Sequence, residues 1–130
     1  MKVIAKSRNL AISAQKLRLQ IDGVGGQRVE NALAQLAVRS QKGAGMVFDT
    51  ISSAAANAEN NNNLKRSNLY IDEIRVDEAA KLKRWRPRSR GMTAPISHQR
   101  AHLKVVLSDE VTESKSQVAK DTKSKQEVKK

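Results

Sequence analysis

The sequence lacks cysteine and is poor in aromatic residues, with one Trp, one Tyr and one Phe among 130 residues. Without cysteine there is no disulfide framework and no thiolate zinc site. The first ten residues hold no apolar run typical of a secretory signal, and nothing later approaches the run of about twenty apolar residues that spans a bilayer. A chain of this length forms about one domain. These absences predict a soluble, cytoplasmic protein.

Recognisable catalytic and cofactor motifs are also absent. The glycines at 23–26 are not followed by the Gly-Lys-Ser/Thr of a phosphate-binding loop, so they favour the end of a helix. His98 and His102, the only two histidines, lie beside a strand pattern in which a spacing of four gives no chelate. The acidic pairs at 72–73 and 77–78 are interpreted as salt-bridge partners at the base of a strand. The sequence therefore predicts no enzyme activity, no metal and no cofactor.

What the sequence has in excess is positive charge, with 25 Lys and Arg against 13 Asp and Glu and a net charge of +12. Residues 81–108 carry 8 of these cations and no carboxylate. The stretch KLKRWRPRSRG, from Lys81 to Gly91, is the densest part of this segment. Such an excess indicates the partner rather than the fold, and it favours a polyanion such as nucleic acid.

Hydrophobic spacing predicts three helices in the first half of the chain. Ser13 is the expected N-cap of the first helix, which the glycines at 23–26 end. The second helix is expected from about Val29 to Arg39. Ser40 is the expected cap of the third helix, which runs over about residues 41–60 until a run of asparagines ends it.

Strand patterns flank the cationic stretch and predict a long hairpin. The segments LYIDEIRV at 69–76 and AHLKVVL at 101–107 are rich in strand formers. An antiparallel pair with about a dozen residues per arm would reach on the order of 40 Å, so three short helices could not bury its outer half. A short strand at Val3–Ala5 is expected to end before Ser7. The predicted fold class is α+β, with three helices packed on a small antiparallel sheet and a long protruding β-hairpin.

The same patterns divide the chain into parts. Residues 1–108 are predicted to form a single domain, with a globular part at about 1–78 and 100–108 and an extended hairpin at about 79–99. After Ser108 the chain mixes both charges and has almost no large apolar residue. Residues 109–130 are therefore predicted to be a disordered charged tail.

Two features of the cationic stretch favour RNA binding over an ordinary solvated surface. Arginines alternate from Arg84 to Arg90, so an extended chain would place them on one side, where guanidinium groups can pair with a row of phosphates. Trp85, the only tryptophan, has a charged neighbour on both sides, which favours stacking on an exposed base over a place in the core. The alternative for Trp85 is packing on the opposite arm of the hairpin.

Three stretches together resemble one family: SAQKLRLQIDGVGG at Ser13–Gly26, SSAAANAENN at Ser52–Asn61 and VDEAAKLKRWRPRSRG at Val76–Gly91. They are similar to the bacterial family of large-subunit ribosomal protein number twenty-two, over about Val3 to Ser108. The resemblance implies a globular domain on the outside of the large subunit and a hairpin that threads through rRNA to the nascent-peptide exit tunnel. It also implies a structural role in subunit assembly.

The resemblance, together with the charge map, implies partners and contact residues. The expected partners are 23S rRNA, neighbouring large-subunit proteins and, transiently, the nascent peptide, with no membrane insertion and no homo-oligomer. The expected rRNA-binding residues are Lys6, Arg8, Lys16, Arg18, Lys81, Lys83, Arg84, Trp85, Arg86, Arg88, Arg90, His98, Arg100, His102 and Lys104. The expected tunnel-lining tip comprises Arg88, Ser89, Arg90, Gly91, Met92, Thr93 and Ala94.

The chain departs from the family pattern at two places. The family commonly has proline and arginine after the capping serine, whereas this chain has Ala14 and Gln15, which removes one expected cation from the first helix. After Gly91 the residues Met92 to Pro95 make the tip less charged than is usual in the family. The tip would therefore present less positive charge to the tunnel.

Two other interpretations of the charge remain open from the sequence. A free RNA- or DNA-binding regulator would use the same cations in a reversible complex, with a compact reading surface. An enzyme that acts on RNA would need a set of catalytic residues, for which the sequence offers no candidate. Sedimentation of a cell lysate distinguishes both alternatives from a ribosomal role, because only a ribosomal protein would travel with the ribosomal fractions.

Overall fold

The computed structural model describes residues 1–109. The three helices pack on one face of an antiparallel sheet with strand order β1-β3-β2, which confirms the predicted α+β class with a long hairpin. The tail prediction, apart from Asp109, lies outside the described residues. The elements in chain order are β1 (Lys2–Leu10), α1 (Ala14–Ile21), α2 (Val29–Val38), α3 (Lys42–Asn62), a 3-10 turn (Arg66–Asn68), β2 (Tyr70–Pro87), a second 3-10 turn (Ser89–Gly91) and β3 (Thr93–Ser108).

The inner sheet and the outer hairpin are one continuous ladder. Strands β2 and β3 are 18 and 16 residues long, longer than the arms predicted from the sequence. They pair from Tyr70 with Ser108 at the base to Pro87 with Thr93 near the tip. The arms are longer because their inner ends form part of the core sheet as well as the hairpin.

Strand β1 extends the sheet only along the inner half of β3. Its pairing continues as far as Leu10 with Ala101, so the prediction that this strand ends before Ser7 is wrong. The physical reason is that β3 offers backbone hydrogen-bonding partners up to Ala101. A bulge at Asn9, whose φ is 56°, shifts the register between Ser7 and Leu10.

The apolar core lies between the helices and the inner half of the sheet. The side chains of Leu103, Val105 and Leu107 alternate along β3 and are almost fully buried, because a strand presents every second side chain to the same face. Burial of each such side chain stabilises the fold by about 1.5–3 kcal/mol. They meet helical side chains that include Leu17, Leu36, Val47 and Ile51.

The helix ends follow the predicted signals with one exception. Ser13 is the N-cap of α1, and its Oγ accepts a hydrogen bond from the Lys16 N–H at 3.5 Å. Asn63 ends α3 in a left-handed conformation, with φ 51°, as the asparagine run predicted. The prediction that Ser40 caps α3 is wrong, since Gln41 occupies that position and makes no side-chain cap. Packing of the first turn, rather than a capping side chain, determines where α3 begins.

Gly43 produces that packing by bringing the start of α3 against α1. A Cβ built at this buried glycine would lie 2.9 Å from Cγ of Gln20 and 3.1 Å from Cδ1 of Ile12. Only glycine permits so close an approach without displacement of its neighbours. The contact also positions Lys42 beside the connection between β1 and α1, where its Nζ donates to the Ala11 carbonyl at 3.3 Å.

The outer hairpin begins at a bulge. One extra residue of β2 lies between Ala79 and Leu82 in the pairing with β3, and a bulge of this kind bends a strand and increases its twist. From Ala80 to Arg100 no residue is buried. The outer half is therefore held by the two-stranded ladder, with no part of residues 1–109 packed over it.

Candidate nucleic-acid interface

The sheet has a second face, away from the helices, which carries mostly charged side chains, with Ile4 and Val106 as an apolar pair near its base. We call it the open face. It is formed by the side chains that alternate with the buried ones, among them Lys6 of β1, His102 and Lys104 of β3, and Arg75 of β2. Because β3 buries the neighbours of Lys104 against the helices, the period of two directs Lys104 to the open face.

Three cations form a row across the open face. Lys104 is paired in register with Lys6 on one side and with Arg75 on the other, and like charges directly opposite one another destabilise a sheet. Arg75 is compensated by Glu73, whose Oε1 lies 2.7 Å from its Nη2. Lys6 and Lys104 form no salt bridge with any residue from 1 to 109. An external anion would relieve their repulsion.

His102 and Arg100 hold the β1 bulge next to this row. The backbone N–H of Asn9 donates to Nδ1 of His102 at 3.1 Å, and Nη1 of Arg100 donates to the Asn9 carbonyl at 3.3 Å. Because Nδ1 accepts, the neutral imidazole carries its proton on Nε2, where it can donate to an external acceptor. A depression of about 500 Å³ is lined by four predicted rRNA-binding residues, Lys6, Arg8, His102 and Lys104, and by one carboxylate, Asp77.

The arginine row predicted in the outer hairpin holds for three of its four members. Arg84 and Arg86 lie in β2, and Arg88 continues the extended backbone with φ −124° and ψ −178°. Arg90 does not continue the row, because the turn at Ser89–Gly91 gives it a left-handed backbone with φ 55°. The alternation required an extended chain, and the chain reverses direction at this turn.

The other face of the outer hairpin carries Lys83 and Trp85. Trp85 is paired in register with Pro95 and is 69% exposed, so neither the core nor the opposite arm covers it. Its indole ring is accessible for stacking on a base. His98, paired with Leu82, lies on the arginine face. The outer hairpin is therefore cationic on both sides.

The two predicted rRNA-binding residues of α1 do not join the open face. Nη2 of Arg18 donates to the Val76 carbonyl at 3.2 Å, which ties α1 to β2 on the helix side of the sheet. One of the five guanidinium N–H groups is thus used within the fold, and the others stay available. Lys16 is exposed in the first turn of α1 and lies across a cleft from Lys81.

Within residues 1–109, the carboxylates that form salt bridges lie at the base of the sheet. Nζ of Lys2 lies 2.7 Å from Oδ2 of Asp72, and this hydrogen bond and charge raise the pKa of Lys2. With the Arg75–Glu73 pair, the predicted salt-bridge role is confirmed for the acidic pair at 72–73. It is not seen for the pair at 77–78, which forms no salt bridge with residues 1–109.

Within residues 1–109 no group of three or more His, Cys, Asp or Glu could hold a metal ion. His98 and His102 share a face of β3, but four strand residues separate them by about 13 Å. No helix in the described part of the chain is long and apolar enough to cross a membrane.

Lys42 is the cation that sequence reasoning missed. It stands alone between Gln41 and Gly43, outside any charged run, and no local pattern distinguishes it from a solvated lysine. Its position beside Lys16 follows from the approach of α3 to α1, which depends on packing between elements distant in sequence.

The fold and the charge define a class: small basic proteins with a long, uncovered cationic hairpin, an arrangement typical of ribosomal proteins. Residues 5–108 match the family described as ribosomal protein L22p/L17e. The chain is 41% identical over 105 residues to the large ribosomal subunit protein uL22 of Lactobacillus gasseri and to that of Lactobacillus johnsonii. Each match covers 81% of this chain and 90% of the relative, and the Lactobacillus helveticus protein matches to the same extent. The chain therefore belongs to the L22p/L17e family of ribosomal proteins.

This membership confirms the resemblance found in the sequence. The family is structural and not enzymatic, so the prediction that the protein is not an enzyme is confirmed and an enzyme that acts on RNA is excluded. Family membership also supports the predicted cytoplasmic location, because the bacterial ribosome is a cytoplasmic particle. The individual contact residues stay predictions.

Proposed function

We propose that this protein binds 23S rRNA as a structural constituent of the large ribosomal subunit, supports subunit assembly and lines the nascent-peptide exit tunnel with its hairpin tip. The outer hairpin carries the proposal. Residues 81–108 hold 8 cations and no carboxylate, and every side chain from Lys81 to Thr93 is exposed. A two-stranded hairpin is marginally stable alone in water, so a polyanion around it would both neutralise and order it.

In this proposal, neutralisation of phosphates by cationic side chains supplies most of the binding affinity. Arg84, Arg86 and Arg88 neutralise a row of phosphates on one face of the hairpin, Lys83 contacts phosphate on the other, and Trp85 stacks on an unpaired base. If about eight cations each neutralise one phosphate, the logarithm of the binding constant falls with the logarithm of salt concentration with a slope of about 5–7.

The inner part of the interface would bind RNA in the same way. A phosphate beside Lys6 and Lys104 removes the repulsion between these two opposed lysines, and Nε2–H of His102 donates to a phosphate or ribose oxygen. The tip from Arg88 to Ala94 would form the tunnel wall, where it meets the nascent peptide transiently.

The proposal is tested by changing the arginine row to glutamate, in the triple variant R84E/R86E/R88E. We expect the wild type to co-sediment with the large subunit and to bind a 23S rRNA transcript with steep salt dependence. In the variant the salt slope should fall by about two to three, from the loss of three contacts, and large-subunit assembly should be impaired. Far-UV circular dichroism should be unchanged, because the three side chains are exposed.

Two results would contradict this proposal. Wild-type protein recovered only from the soluble top fraction of a sucrose gradient at moderate salt would show a free protein instead of a ribosomal one. Loss of helical signal in the triple variant would show that the arginines support the fold.

The stacking role of Trp85 has a separate readout, because it is the only tryptophan and its intrinsic fluorescence reports on the hairpin alone. We expect 23S rRNA to quench or blue-shift this emission. In binding assays Trp85→Phe should keep most of the affinity, whereas Trp85→Ala should lose about 1–3 kcal/mol. If 23S rRNA left the tryptophan emission unchanged, Trp85 would not stack on a base.

A further inference from the structure

A cleft of about 730 Å³ lies at the base of the hairpin. One wall belongs to the helical body and includes Lys16 of α1 and Lys42 of α3. The other wall belongs to the hairpin and includes Lys81 and Arg100, with Glu78 at its inner end. The volume is within the range of about 300–1,000 Å³ typical of ligand pockets. The two walls come from parts of the molecule that are joined through the sheet base, the connection from β1 to α1 and the hydrogen bond from Arg18 to the Val76 carbonyl.

The cleft concentrates four cations against one carboxylate. None of the four forms a salt bridge with a residue from 1 to 109. Lys42 and Arg100 are oriented by backbone carbonyls, those of Ala11 and Asn9, each at 3.3 Å. A carbonyl directs a cation without neutralising it, so the repulsion among the four charges remains and favours entry of an anion.

The remaining lining residues indicate which part of a nucleic acid fits. No aromatic side chain lines the cleft, so it offers no stacking platform for a base. Apart from the Glu78 carboxylate and the Ser13 hydroxyl, its polar side chains are ammonium, guanidinium and amide donors, the groups that contact phosphate and sugar.

We propose that this cleft binds one segment of RNA backbone, which is contacted from both walls at once. The inference rests on the proposed function, because it takes RNA as the partner, and it adds Lys42 as a binding residue. Since Lys81 and Arg100 belong to the hairpin while Lys16 and Lys42 belong to the helices, a backbone segment bound to both walls would fix the direction in which the hairpin leaves the body.

The test measures binding of the full chain to a 23S rRNA transcript over a series of salt concentrations. Lys42→Ala and Lys81→Ala should each lower the salt slope by about 0.7–0.9, the value for one phosphate contact, and Lys42→Arg should retain it. Glu78→Gln, which removes the only carboxylate of the cleft, should bind more tightly than the wild type. The matched control is Lys65→Ala, an exposed lysine beyond the other end of α3, about 30 Å away along that 21-residue helix.

A double variant tests the claim that one segment touches both walls. If one segment touches both walls, Lys42→Ala already weakens the contact of that segment with Lys81, so adding Lys81→Ala costs less affinity than it does in the wild type. The fold loss of affinity in the double variant should therefore be smaller than the product of the two single fold losses. Losses that multiply independently, as they do for sites more than about 7–10 Å apart without shared partners, would overturn the shared segment.

The control experiments separate this inference from the proposed function. If the wild type binds 23S rRNA no better than an unrelated RNA of equal length, the proposed function fails. If the wild type shows that preference but Lys42→Ala and Lys81→Ala behave like Lys65→Ala, only the cleft is wrong. Thermal unfolding midpoints equal to that of the wild type should accompany Lys81→Ala, Glu78→Gln and Lys65→Ala, since these side chains are exposed. Lys42→Ala also loses the bond to the Ala11 carbonyl, so its midpoint should fall slightly, and Lys42→Arg, which keeps a donor there, should restore it.

Discussion

The inner and outer halves of the β2–β3 ladder have the same backbone hydrogen bonding and opposite surroundings. In the inner half, Leu103, Val105 and Leu107 are buried against three helices. In the outer half the large apolar side chains are few, and Leu82, Trp85 and Met92 are 38%, 69% and 68% exposed. A hydrogen-bonded ladder therefore does not by itself decide what a hairpin packs against. Side-chain chemistry assigns the inner half to the protein core and leaves the outer half uncovered by residues 1–109.

The two halves also differ in how they treat charge. At the base, carboxylates at 72 and 73 compensate Lys2 and Arg75 within the protein. Beyond Glu78 neither strand has a carboxylate, so no internal neutralisation is available to the outer cations. The same side chains that weaken a free hairpin through repulsion would stabilise a hairpin surrounded by phosphate.

The largest expected effect comes from removing a core side chain in the inner half. Leu103→Ala should lower the free energy of unfolding of the RNA-free protein by about 2–5 kcal/mol, from lost burial and a residual cavity. The matched change in the outer half, Leu82→Ala, should cost less than about 1 kcal/mol, because surface substitutions have small effects. Urea denaturation followed by circular dichroism measures both. Equal losses would mean that the outer half is packed in solution.

A smaller effect on stability should distinguish a structural residue of α1 from an RNA-binding one. Arg18→Ala removes the hydrogen bond to the Val76 carbonyl and should cost about 0.5–1.5 kcal/mol of stability. Lys16→Ala, in the same helix without such a bond, should leave stability unchanged and weaken RNA binding. Urea midpoints and RNA affinities are measured for both variants. If Arg18→Ala left stability unchanged, the hydrogen bond would not support the fold, and Arg18 would act only in RNA binding.

The smallest effect is expected from the exposed ion pair at the sheet base. Asp72 raises the pKa of Lys2 above its ordinary value of 10.5, so the contribution of this pair to stability is fully present below that value and is lost as pH rises through the higher folded-state pKa. Lys2→Met should melt slightly below the wild type at neutral pH, and the gap should close in strong alkali. Thermal melts at both pH values measure it. A gap that persists there would have another origin.

The first-half helices and the strand patterns were predictable because their signals are local. The Ser13 cap, the apolar stripes and the asparagine end of α3 each depend on residues within a few positions of one another. Ser40 shows the limit, because the start of α3 follows from the fit of Gly43 against Gln20. The length of β1 shows it as well, since only pairing with β3 extends that strand to Leu10.

The residues of the candidate interface also fall into those that could be predicted from the sequence and those that could not. A dense charge run is visible without a structure, so the outer hairpin from Lys81 to Arg90 was predictable. The turn that removes Arg90 from the row, the internal hydrogen bond of Arg18 and the position of Lys42 were not. Each depends on where the backbone reverses or on which distant element lies alongside.

By itself the sequence determined the class of the protein and predicted a polyanionic partner. Net charge, missing carboxylates and hydrophobic periodicity are properties of neighbouring residues, so they do not depend on how the elements are arranged in space. Only the tertiary structure decided which cations lie together. Lys6 faces Lys104, and Lys42 shares a cleft with Lys81, because packing and strand register bring together charges that lie far apart along the chain.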